Sequence, residues 1–155
     1  MNTNQDRYAR RYGIHYEATK GMSIKDVAAH MRRVVKQAAK DGLIENNYKY
    51  SVRLRRSTWS HAIDLFIIVP DEVQAEMYAY SNGGRPPYRI ADRLWFDTPQ
   101  QMAFLTTLAE TEAALQEIHH AYNYDGSDAM TDYFDVRYYG TVKVVSDSDW
   151  NTYYK

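Results

Sequence analysis

Apolar residues recur through residues 22 to 43, "MSIKDVAAHMRRVVKQAAKDGL", at Ile24, Val27, Ala28, Met31, Val34, Val35 and Ala38. This three-to-four spacing turns one face of a helix toward a core. Ser23 and Asp26 are spaced as a capping box, and Gly42 stands where a helix would stop. The period then changes to two. In "YKYSVRLRR", residues 48 to 56, Tyr48, Tyr50, Val52 and Leu54 alternate with Lys49, Ser51, Arg53 and Arg55, which predicts a strand with a basic outer face. "HAIDLFIIVP" predicts a second strand ended by Pro70, with Ile63, Leu65, Ile67 and Val69 opposite Asp64, Phe66 and Ile68. "RSTWS" between them reads as a hairpin turn, which would bring Asp64 near one of the strand arginines.

A shorter alternation in "GIHYEA", with Ile14, Tyr16 and Ala18 against His15 and Glu17, predicts a first strand. "DTPQQMAFLTTLAETEAALQEIHHAYN" predicts a long helix with Thr98 as N-cap and Pro99 in its first turn. Met102, Leu105, Leu108, Ala109, Leu115 and Tyr122 form its apolar side. "YFDVRYYGTVKVV" alternates again, with Phe134, Val136, Tyr138, Val142 and Val144 inward and Arg137 outward, as a last strand. The predicted order is βαββαβ: an α+β domain of ferredoxin-like or related type, with a four-stranded antiparallel sheet and two main helices on one face. Residues 1–12 read as a flexible basic arm, 13–146 as the domain, about 71–97 as an irregular insertion and 147–155 as a loose tail.

The 155 residues suffice for one domain with a core of its own. Cysteine is absent, which removes disulfides, thiolate metal sites and cysteine nucleophiles. "MNTNQDRYARRYG" lacks the apolar stretch of a secretory signal, so the expected location is cytoplasmic. Charge changes the picture more. Residues 1–56 hold thirteen Lys and Arg against five Asp and Glu, a balance of +8, while residues 57–155 balance at −9. Either the halves pair with each other, or the basic half faces an anionic partner.

Two groups of residues are candidate binding sites. Lys25, Arg32, Arg33 and Lys36 on the first helix, with Arg53 and Arg55 on the basic strand, fit contacts to nucleic-acid phosphates. Arg85, Tyr88, Arg89, Arg93 and Trp95 lie in "SNGGRPPYRIADRLWF", a loop by its Gly-Gly and Pro-Pro pairs. They combine the residue types that anchor protein partners and stack on bases. For chemistry the sequence offers little. His119 and His120 are adjacent rather than four apart, and "DGSDAMTDYFDV" has neither the glycine nor the glutamate positions of a calcium-binding EF-hand loop. No nucleotide-binding glycine loop or nucleophile elbow is present, and the expectation is no enzyme, no metal and no cofactor.

"SIKDVAAHMRRVVKQA", "YKYSVRLRR" with "HAIDLFIIVP", and the closing "YNYDGSDAMTDYFDVRYYGTV" together resemble the twenty-ninth of the large polyvalent protein associated domains, over about residues 14 to 145. The most specific part is the run from Asn123 to Asp135, with Asp125, Ser127, Asp128, Asp132 and Tyr133 as its marker positions. The resemblance implies proteins of phages, plasmids and conjugative elements, and assigns no catalytic residue. It implies a non-enzymatic protein that binds a host protein or ribonucleoprotein, with inhibition of a host defence of the CRISPR–Cas or restriction type as a natural role. The alternative is a nucleic-acid-binding accessory module of a mobile element.

Overall fold

A computed structural model describes residues 12–79, 99–126 and 135–155. The capping box forms as the spacing predicts: the Ser23 hydroxyl accepts from the Asp26 N–H (3.1 Å) and donates to the Asp26 carboxylate (2.8 Å). It opens helix α2, Ile24–Lys40, which follows a single-turn helix α1, Tyr16–Thr19. At the far end Gly42 takes φ +75°, Leu43 N–H bonds Ala38 O (2.9 Å) and Gly42 N–H bonds Ala39 O (3.3 Å). This is the paired closure that glycine permits because it has no Cβ to clash in the left-handed region. Strands β1 (Lys49–Arg56) and β2 (His61–Val69) form the expected antiparallel hairpin, and α3 (Asp71–Ala79) occupies the first part of the expected insertion. Helix α4 spans Pro99–Ala121, and strand β3 spans Val142–Ser146. The chain closes with a short helix α5, Asp147–Asp149, continued by a π-helical turn, Trp150–Tyr154.

The sheet is not the four-stranded antiparallel one that the periodicity predicts. Among the described residues it has three strands in the order β1-β2-β3, antiparallel between β1 and β2 and parallel between β2 and β3. The expected first strand fails because its backbone is spent elsewhere. Gly13 N–H bonds Asn123 O (2.9 Å), His15 N–H bonds Ala121 O (2.7 Å), and the next four residues coil into α1 with Ile14 86% exposed. The expected last strand is shorter and reversed in sense. Helix α4 ends beside the start of β2, where the His119 ring meets the Ile63 carbonyl, so the returning chain enters at that same end. Tyr139 N–H bonds His61 O and Ile63 N–H bonds Tyr139 O, both at 2.8 Å, and the chain then runs alongside β2. Gly140, at φ +120°, makes this approach possible, since a Cβ there would collide with the Ile63 carbonyl.

Central strand β2 is buried on both faces from Ala62 to Val69. On one face Ile63, Leu65, Ile67 and Val69 meet Val27, Met31 and Val35 of α2 and Leu108 and Leu115 of α4. On the other, Phe66 and Ile68 pack with Val145, Trp150 and Tyr154. The expected loose tail is therefore a second layer. It is fixed by ion pairing of Lys49 with Asp147 (3.1 Å), by Ser148 N–H donating to Asp71 (2.9 Å), and by Gln74 donating to Asp149 (3.1 Å). Asp64, buried on this second face, accepts from Arg55 Nε (3.1 Å) and Thr141 N–H (3.3 Å). Arg137, expected to point outward, instead donates to Thr19 Oγ1 (2.9 Å), Tyr122 O (2.8 Å) and the Thr19 carbonyl. It thereby ties α1 to the end of α4.

Candidate nucleic-acid interface

The core stripe of α2 fixes where its cations go. At 100° per residue, Lys25, Arg32 and Lys36 fall on one flank, while Arg33 lies about 100° further round from Arg32. All four are exposed, and Arg33 sits beside His30, with Nη2 at 3.5 Å from its Nδ1. The Lys25–Arg32–Lys36 flank faces the edge of β1 away from β2, because Arg32 Nε donates to the Val52 carbonyl at 2.9 Å. Tyr50, two residues earlier on the strand, reaches Glu45 O beyond the helix's C-terminus, so helix and strand run antiparallel. Lys25 accordingly lies toward the hairpin end of the sheet.

Between the helix flank and the strand edge runs an open groove of about 390 Å³, lined by Arg32, Val35, Lys36, Ala39, Tyr50, Ser51 and Val52. Among the described residues its charged lining groups are the cations Arg32 and Lys36, with no carboxylate. Arg32 is anchored by Nε alone; among the described residues its two terminal nitrogens have no partner. That leaves the edge of the guanidinium that forms two parallel bonds to a phosphate or carboxylate. Lys25 and Lys36 make no ion pair among the described residues. The acidic half of the chain does not neutralise this flank among the described residues. Only Lys49–Asp147 and Arg55–Asp64 cross between the halves among the described residues.

The six cations singled out by sequence do not form one site. Lys25, Arg32 and Lys36 come together on the groove flank, whereas Arg53 and Arg55 project from the opposite face of β1. There Arg55 serves Asp64, and the Arg53 guanidinium stacks over Trp150, 4.5 Å from the ring centroid. The alternation of β1 already separates Arg53 and Arg55 from Val52 and Tyr50. What sequence reasoning missed is the groove floor and Trp59. At the tip of the β1–β2 hairpin Trp59 is 94% exposed, next to a second opening of about 170 Å³ bounded by Ser60, His61, Asp135, Arg137 and Tyr139. "RSTWS" gave a signal, a tryptophan inside a polar turn, that periodicity does not score.

The loop candidates Arg85, Tyr88, Arg89, Arg93 and Trp95 lie outside the described residues, as do Ser127, Asp128, Asp132 and Tyr133 of the marker run. The described parts of that run are structural. Asn123 donates through Nδ2 to Tyr138 O (2.9 Å) and accepts from Tyr124 N–H (2.9 Å), and Asp125 bridges Val136 across an antiparallel stem. His119 is equally committed: its Nε2–H donates to Ile63 O at 2.8 Å and its ring meets the edge of Tyr138. Burial holds its pKa below the ordinary value, against the opposing effects of the Ile63 carbonyl and Asp64. Among the described residues no three His, Asp or Glu side chains converge on a metal position, and no helix is long and apolar enough to cross a membrane. No protein-family model, no curated protein and no solved structure matches the chain.

Proposed function

We propose that this chain is a non-enzymatic binding protein that holds nucleic acid along the Lys25–Arg32–Lys36 flank of α2. The observation that supports the reading is exposed Arg32, fixed to the Val52 carbonyl through Nε and flanked by two lysines that, like its terminal nitrogens, have no ion-pair partner among the described residues. A fixed guanidinium loses less side-chain freedom on binding a phosphate than a freely rotating one. The family resemblance supplies the setting: a phage or mobile-element protein in the host cytoplasm, whose ligand is nucleic acid of the element or of a host ribonucleoprotein.

A second reading has the chain inhibit a host defence of the CRISPR–Cas or restriction type through Arg85, Tyr88, Arg89, Arg93 and Trp95. The arginine and aromatic content of that loop favours it. One experiment separates the two. Salt titrations of nucleic-acid affinity should show K25A/R32A/K36A binding at least about tenfold more weakly at low salt, with a log–log slope shallower by about two to three, as lost phosphate contacts require. R85A/R89A/W95A should leave that affinity unchanged. No retained DNA or RNA at low salt sinks the nucleic-acid reading; intact capture of a defence complex by the loop variant sinks the inhibitor reading.

A further inference from the structure

The groove flank explains why phosphates would bind but does not say whether the strand is paired. The hairpin end of the sheet carries that information. β1 ends in Arg55 and Arg56, Arg56 pairs in register with His61, and Trp59 stands between them at the tip with 94% of its surface exposed. The Ser57–Ser60 turn beneath it is closed by its own bonds: Ser57 N–H to Ser60 O (2.9 Å), and Ser60 N–H to Ser57 Oγ (3.2 Å). The turn therefore holds itself without burying the indole. Trp150, by contrast, packs against Phe66 and Tyr154. Beside Trp59, Tyr139 is 44% exposed and His61 is exposed, so aromatic faces cluster at one end of the sheet. Among the described residues the carboxylate bordering this end is Asp135, which accepts from the Tyr124 hydroxyl at 3.0 Å, and Asp64 is matched by Arg55. Arg56 makes no ion pair among the described residues.

Because α2 runs antiparallel to β1, the cationic flank leads from Lys36 past Arg32 to Lys25 over ~16 Å of helix, toward this same end. We propose that the ligand is single-stranded nucleic acid, its phosphates on the α2 flank and an unstacked base on the indole of Trp59. The inference rests on the nucleic-acid reading of the groove and adds the strandedness of the ligand. A duplex keeps its bases stacked on each other and offers an exposed indole only its backbone, whereas a single strand presents a π-face at every nucleotide. The chemistry is common to RNA and DNA, so both should show the same dependence on Trp59.

The test is fluorescence anisotropy with labelled single strands of about a dozen nucleotides, as DNA and as RNA, and with a duplex of matching length, at two salt concentrations. Single strands are expected to bind more tightly than the duplex. W59A should lose about five- to hundred-fold in single-strand affinity with its salt slope and duplex affinity unchanged, while W59F should retain most of the binding. Because Trp59 is exposed, W59A is expected to melt as the wild type does, and an unchanged melting curve certifies that any loss is not misfolding. Equal or tighter duplex binding, or W59A binding like the wild type, overturns the stacking proposal while leaving the groove reading in place if K25A/R32A/K36A is weakened. If that triple variant binds normally, the groove reading itself is overturned.

Discussion

His119 shows how a residue that invites a catalytic reading can be accounted for by its bonds. Its Nε2–H is used on the Ile63 carbonyl, its own carbonyl accepts from the Tyr138 hydroxyl, and burial depresses its pKa below about 6.5. Between the lowered folded value and about 6.5 the unfolded chain binds a proton that the folded chain refuses, so this contribution to stability is complete above about 6.5 and is lost as pH falls through the folded value. Urea unfolding at neutral and mildly acidic pH should therefore show wild-type stability declining on acidification. In H119Q the amide can still donate to Ile63 but cannot titrate. The variant should be less stable by about 1 kcal/mol at neutral pH and should show a smaller decline. An equal decline in both proteins would place the titrating group elsewhere.

At the scale of elements, the second face of β2 depends on the C-terminal turn. Phe66 lies edge-on to Trp150 with centroids 5.2 Å apart, Trp150 stacks on Tyr154 at 5.4 Å, and Arg53 covers the indole. W150A should destabilise the fold by about 2–3 kcal/mol through lost apolar burial, and R53A by under about 1. A double-mutant cycle should recover roughly 0.5–1 kcal/mol of coupling between them; additive losses would mean that the stacking contributes nothing. This element was poorly legible in the sequence, although Phe66 and Ile68 opposite the core face of β2 were the clue: an apolar second face requires a cover. Helix α2, the hairpin and α4 were legible because long periodic runs with caps leave one solution. The five-residue alternation at Ile14 to Ala18 was too short to distinguish a strand from a turn whose backbone bonds to α4. The sense of β3 depended on where α4 ends, which no local pattern encodes. The candidate site was half legible: helical spacing puts Lys25, Arg32 and Lys36 on one flank, but that this flank borders a groove required the position of the β1 edge.

Across the whole molecule, a net charge of −1 conceals segregation. The α2 flank, Arg33 and Lys40 carry positive charge with no ion pair among the described residues, while Glu110 and Glu117 are exposed on α4. Such a field acts over about 8 Å at physiological ionic strength, so it governs encounter with a polyanion more than the stability of the fold. Lys25 and Lys36 separate the two effects, since neither forms a salt bridge or a hydrogen bond with a described side chain that reversal would break. K25E/K36E should unfold within about 0.5 kcal/mol of the wild type. Its association rate with a single-stranded oligonucleotide, measured by stopped flow at low salt, should fall by about tenfold or more. The gap should narrow as salt is raised, because screening removes attraction and repulsion alike. Association that is independent of salt, or equally fast in the reversed variant, would mean that the segregated charge does not steer the ligand.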